Sequence, residues 1–155
     1  MNLVSHSLMP RVVVGTDLVE ISAVAEAIRT FGDRYLRRLF TPDEIATCQA
    51  TPAMASQRFA ARFAAKEATV KVLRPNTGWL SPRDIEITQE SSGAPSLILR
   101  GEAQTLAAQA GFDGWSVSLT HEAAYASAVV VAIHLSAQTS NNPAPQESEE
   151  HETRS

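Results

Sequence analysis

Three short runs of this sequence combine residues that can hold a cation, bind an anion or move a proton. The first is Gly15-Thr16-Asp17-Leu18-Val19-Glu20, which puts a carboxylate just past a short apolar run. Glycine lets the backbone turn, and a carboxylate at a rigid strand end suits a metal ligand. Asp17-x-x-Glu20 reads equally as a capping box for a following helix, with Asp in place of Ser or Thr. The second run is Arg62-Phe63-Ala64-Ala65-Lys66-Glu67-Ala68-Thr69-Val70-Lys71. On a helix, Arg62 and Lys66 are neighbours one turn apart, as are Glu67 and Lys71. Glu67 is the only acid between Glu44 and Asp84, and the alanines around it would let a backbone or a ligand come close. The same spacing also fits ordinary exposed ion pairs, which stabilise little. The third run is Ser118-Leu119-Thr120-His121-Glu122. Alternation puts His121 on the apolar face of a strand, where it is either a ligand-binding group or a hydrogen-bonded core histidine.

The elements that must position these runs are legible from pattern. Arg11–Gly15 is rich in β-branched residues and predicts a short buried strand ended by Gly15. Helices are expected from Val19 to Thr30 and from Asp33 to Phe40. Thr41-Pro42-Asp43-Glu44 predicts a helix start, with Thr41 as N-cap and Glu44 closing a capping box. That helix should end near Ala50. A long alanine-rich helix is expected from Ala53 to Leu73. Asp84–Gln89 and Ser96–Arg100 read as strands around a Ser92-Gly93-Ala94-Pro95 turn, followed by a short helix over Glu102–Ala110. Trp115–His121 alternates strictly, with Trp115, Val117, Leu119 and His121 on one face. Tyr125–His134 reads as a strand buried on both faces. The tight Ala123-Ala124 link predicts a hairpin. The pattern is α+β, a small antiparallel sheet packed against a long helix in one domain over residues 11–135.

Composition bounds the rest. With 155 residues, 44% of them hydrophobic and 19% charged, the chain can bury one ordinary core but not two. Its single cysteine, Cys48, excludes a disulfide framework and reads as a small apolar filler. Residues 1–10 are expected to form a loose arm, with no basic segment followed by a hydrophobic one as a secretory signal has. Residues 136–155 carry four glutamates against one arginine and predict a disordered acidic tail. The longest apolar run, Ala123–Ile133, is too short to cross a bilayer as a helix, so a cytoplasmic location with no membrane partner is expected. Net charge is −4, yet Arg29–Arg74 holds nine basic residues against four acids. That stretch predicts an anionic partner or ligand. A nucleic acid is disfavoured by the acidic balance and by the absence of an aromatic-basic platform.

GTDLVEI, RFAAKEATVK and SLTHE, in this order, resemble the holo-acyl-carrier-protein synthases, the small group of 4′-phosphopantetheinyl transferases. The resemblance runs from about Val12 to Ile133 and includes DIEI (Asp84–Ile87) and the Gly93-Ala94-Pro95 turn. It implies transfer of 4′-phosphopantetheine from coenzyme A to a serine of an apo acyl carrier protein, leaving adenosine 3′,5′-bisphosphate. It implies magnesium bound by Asp17 and Glu67. Lys71 matches the lysine near the diphosphate and the reacting hydroxyl, and Glu67 is the first choice of base. Arg62 and His121 match residues that hold the phosphorylated nucleotide end of coenzyme A. Arg29, Arg34, Arg37 and Arg38 fall in the region by which the family docks its acidic carrier protein. A homotrimer with sites at subunit interfaces is implied as well.

Some positions depart from the family pattern. Gln57 stands where many members have an arginine, with Arg58 beside it, and Val72 follows Lys71 where many have alanine. Two other readings use the same residues. A magnesium-dependent diphosphate hydrolase could employ Asp17, Glu67 and Lys71 without needing the arginines of residues 29–38. A non-catalytic carrier-binding module would tolerate loss of Glu67.

Overall fold

A computed structural model describes residues 11–75 and 79–134. The expected arm (1–10) and acidic tail (136–155) lie outside the described residues. Two antiparallel sheets and four helices follow in the order β1 (Arg11–Glu20), α1 (Ile21–Leu39), α2 (Pro42–Gln49), α3 (Ala55–Leu73), β2 (Ile85–Gln89), β3 (Pro95–Leu99), α4 (Gly101–Gln109), β4 (Gly114–His121) and β5 (Tyr125–His134). The α+β expectation holds. A three-stranded sheet, ordered β1-β5-β4, carries α3 on one face, and β2-β3 form a separate hairpin.

The first strand is twice the expected length. Gly15 does not end it, because β5 offers a partner along all ten residues, from Arg11 opposite His134 to Glu20 opposite Tyr125. Gly15 serves a different purpose: a Cβ there would lie 2.1 Å from the Ala68 carbonyl oxygen and 2.9 Å from Val72 Cγ2. Strand and helix therefore touch backbone to backbone. The residues facing this contact are small on both sides, with Ala60, Ala61, Ala64, Ala65 and Ala68 on α3 and Ala126, Ala128 and Ala132 on β5, all buried. Removing bulk from both surfaces lets helix and sheet pack at close range without voids.

The extension of β1 also overturns the capping-box reading of Asp17-x-x-Glu20. Asp17 sits inside the strand, and Glu20 precedes α1 with no side-chain cap. α1 holds the two expected helical stretches of residues 19–40, which meet at Gly32, whose φ of 55° and ψ of −140° break the helical path. The Thr41 cap forms as predicted. Glu44 N–H donates to Thr41 Oγ1, and Thr41 N–H donates to Glu44 Oε2 at 2.9 Å. The β4–β5 hairpin pairs His121 with Ala126 across the short link.

β5 is buried on one face only. Ala126, Ala128, Val130 and Ala132 are covered, whereas Tyr125 and Val129 on the other face are exposed. Val12, Val14 and Leu18 of β1 lie exposed on that same outer face, since β1 pairs residue for residue with β5.

Replacing Gly15 by alanine forces β1 and α3 apart where their backbones touch. Gly15→Ala is expected to cost about 3 kcal/mol, at the upper end of overpacking effects, read from urea-induced unfolding. A near-neutral effect would mean that β1 and α3 are not in contact at this point.

Candidate active site

Residues facing α3 from β1 alternate, so Asp17 follows Gly15 on the same face. On α3, Glu67 and Lys71 are one turn apart and flank Ala68, the residue that meets Gly15. The Gly15–Ala68 contact thus brings Asp17 to Glu67 and Lys71. Lys71 Nζ donates to Asp17 Oδ1 at 2.8 Å and to the Thr16 carbonyl at 2.7 Å. This corrects the reading of Glu67 and Lys71 as an exposed pair: Lys71 reaches across to β1 instead. Burial raises the Glu67 carboxyl above the ordinary glutamate range, and the charge of Asp17 raises it further, while Lys71 partly offsets both.

Two carboxylates held near one another by the fold resist ionising together, and a divalent cation between them would relieve that cost. Their donor set is hard oxygen, which suits magnesium. Among the described residues no group of three or more His, Cys, Asp and Glu could hold a metal ion. An ion taken by Asp17 and Glu67 alone would keep positions for water and for phosphate oxygens, the usual arrangement for magnesium at a diphosphate.

A second feature lies along α3. Arg62 and His121, 59 positions apart in sequence, line one cleft of about 270 Å³ together with Arg58, Thr47, Thr88, Gln89 and Pro95. No acid lines it. His121 is exposed at the strand end, so the core-histidine reading is set aside. Arg62 is 7% exposed, and its Nε is buried with no hydrogen-bond partner among the described residues. A buried unsatisfied donor is costly, and an anion is its natural partner. Arg58 was noted in the sequence only as the neighbour of Gln57. It lines the same cleft, where its guanidinium donates to the Thr47 carbonyl at 3.1 Å.

Helical spacing sets Lys66 one turn from Arg62, and neither is at the surface. Lys66 is 1% exposed and forms an ion pair with the equally buried Glu44 at 2.8 Å. No spacing rule could have matched two residues 22 apart on different helices. Cys48 is fully buried, and burial pushes its thiol up to about 11, as befits an inert filler.

The four arginines of residues 29–38 differ in their surroundings. Arg29 is paired with Glu26 and Arg37 with Asp33 at 3.4 Å, both in the open. Arg34 and Arg38 border a groove of about 420 Å³ with Phe31, Tyr35 and Leu39. The Arg38 guanidinium also stands 5.5 Å from the centre of the exposed Trp79 ring.

The raised Glu67 carboxyl has a consequence for stability. An acid whose proton is held more tightly in the fold destabilises the fold once pH rises past its unfolded value, about 4.3 for glutamate. In metal-free protein at pH 7, Glu67→Gln is therefore expected to melt higher than the parent, and the gain should vanish as pH falls below 4. A lower melting temperature at pH 7 would mean that the ionised Glu67 carboxylate is favoured rather than penalised in the fold.

The family model of the 4′-phosphopantetheinyl transferase superfamily matches residues 13–130. The holo-[acyl-carrier-protein] synthase of Moorella thermoacetica is 44% identical over 117 residues, 76% of this chain and 90% of that protein. Its counterpart in Koribacter versatilis is 41% identical over 118 residues, 76% of this chain and 94% of that protein. The crystal structure of the Helicobacter pylori holo-[acyl-carrier-protein] synthase in complex with coenzyme A is 32% identical. It superposes with a TM-score of 0.66 over 77% of this chain and 99% of that one. The chain belongs to the 4′-phosphopantetheinyl transferase superfamily and, within it, to the family of the holo-acyl-carrier-protein synthases.

Proposed function

We propose that this enzyme transfers 4′-phosphopantetheine from coenzyme A to a serine hydroxyl of an apo acyl carrier protein. The observation that carries the reading is the meeting of Asp17, Glu67 and Lys71 where β1 crosses α3. The serine oxygen attacks the phosphorus that bears the pantetheine arm. The bond from that phosphorus to the bridging oxygen breaks, and adenosine 3′,5′-bisphosphate leaves. Little covalent chemistry is asked of the protein, so positioning and charge neutralisation carry the rate. Asp17 and Glu67 would hold magnesium, which when bound supplies positive charge to the diphosphate oxygens. Lys71 brings a mobile ammonium to the same point and can place its charge on the oxygen that becomes negative. The serine proton goes to Glu67, the carboxylate one helical turn from Lys71.

Arg62, His121 and Arg58 bind the phosphorylated nucleotide end of coenzyme A in the acid-free cleft, where the buried Arg62 donor finds its acceptor. The carrier protein, itself acidic, docks near Arg29, Arg34, Arg37 and Arg38. Arg34 and Arg38 offer it both charge and an apolar groove. The exposed outer face of β1 and β5, with Val12, Val14, Leu18, Tyr125 and Val129, supports association into a homotrimer. Among the described residues no helix is long and apolar enough to cross a membrane, and the enzyme works in the cytoplasm.

Two sets of variants test this reading. Asp17→Ala and Glu67→Ala are expected to keep the circular dichroism spectrum of the parent and to lose carrier-dependent release of adenosine 3′,5′-bisphosphate. Parental turnover in either removes it from the metal site, and release without a carrier protein would favour the hydrolase. Charge reversal at Arg37 and Arg38 should raise KM for the carrier protein by about tenfold, equivalent to about 1.4 kcal/mol, while leaving the coenzyme A affinity unchanged. Equal KM values would move the docking surface elsewhere.

A further inference from the structure

We infer that the buried Lys66–Glu44 pair is a positioning device for the active site, setting the roll of α3 about its own axis. The inference rests on the roles proposed for Glu67 and Arg62. Lys66 Nζ has three protons and meets three acceptors, each on a different part of the fold. It donates to Glu44 Oε2 of α2 at 2.8 Å, to the Pro82 carbonyl at 2.9 Å, and to the Ile85 carbonyl that opens β2. Glu44 is equally committed. Its Oε2 also accepts the Thr41 N–H at 2.9 Å, and its Oε1 accepts the Ile87 N–H at 3.0 Å. One ion pair thereby ties α3 to the start of α2 and to the head of β2.

A buried pair of this kind is weak evidence for stability, because apolar residues of the same volume serve as well or better. What it can supply is register. Successive residues turn about 100° around a helix, so Lys66 at zero places Glu67 at about 100°, Lys71 at about 140° and Ala68 at about 200°. Lys66 clamps one side of α3, and the Ala68–Gly15 contact clamps the other. Glu67 and Lys71 occupy the arc between the two clamps. Arg62, one turn before Lys66, lies on the Lys66 side and faces the cleft. An apolar contact at position 66 would let the helix roll by a fraction of a side chain. A three-acceptor ammonium fixes it.

The test is the double variant Glu44→Gln with Lys66→Met, which removes both charges at nearly constant volume. Its melting temperature is expected within about 5 °C of the parent. Its kcat should fall about tenfold or more, the scale on which misplaced groups act, with KM for the carrier protein unchanged. Mn²⁺ affinity, read from the electron paramagnetic resonance signal in the presence of coenzyme A, should weaken by about tenfold. A folded double variant with parental kcat and Mn²⁺ affinity overturns the inference. If the double variant does not fold, Glu44→Asp gives the same reading, since it keeps a carboxylate but withdraws it from Lys66. Parental kcat and Mn²⁺ affinity there overturn the inference too. Parent protein that binds no Mn²⁺ faults the metal reading itself, and this inference falls with it.

Discussion

At Gly15 the first strand comes so near the long helix that no side chain fits between them, and the rest of the molecule follows from that contact. It demands small residues along α3 and on the facing side of β5, which is why alanine dominates both. Pairing with β5 carries β1 on beyond the glycine, so that Asp17 projects from a hydrogen-bonded strand rather than from a loop. The contact at Gly15 also brings that carboxylate within reach of Lys71 and within the field of Glu67. A site assembled on two rigid elements at backbone contact has little freedom to relax, which is what a charge-positioning mechanism requires.

The electrostatics are arranged against the bare protein and in favour of the loaded one. Asp17 and Glu67 repel, and burial raises the Glu67 carboxyl. The Arg62 Nε is buried without a hydrogen-bond partner, and the Arg62 side chain borders a cleft that no acid lines. Each of these destabilises the unliganded fold and would be relieved by a ligand of opposite charge. Compensation sits close by, in the alanine-rich core. Stability is spent at the site and recovered next to it, a pattern expected where function needs a strained constellation.

Much of this was legible in the residues themselves. The Thr41 capping box depends on four consecutive residues and formed as read. Periodicity gave the long helix and the β4–β5 hairpin within two residues at each end. Tertiary partners were the part hidden from inspection. Gly15 looked like a strand terminator because its neighbour across the contact, Ala68, is far away in sequence. Lys66 looked like a solvated cation because its acceptors come from Glu44, Pro82 and Ile85. Arg58 gained meaning only once His121 stood across a cleft from it. The outer face of β5 looked buried by composition and lies open in the single chain.

The central claim is that Asp17, Glu67 and Lys71 together act on a diphosphate through a divalent cation. The most direct measurement is the intact mass of an apo acyl carrier protein after incubation with this enzyme, coenzyme A and magnesium, alongside an EDTA control. The account predicts the gain of one phosphopantetheine arm, present with magnesium and absent with EDTA. An equal gain in EDTA would contradict the metal site, and no gain with any of several carrier proteins would contradict the transfer itself.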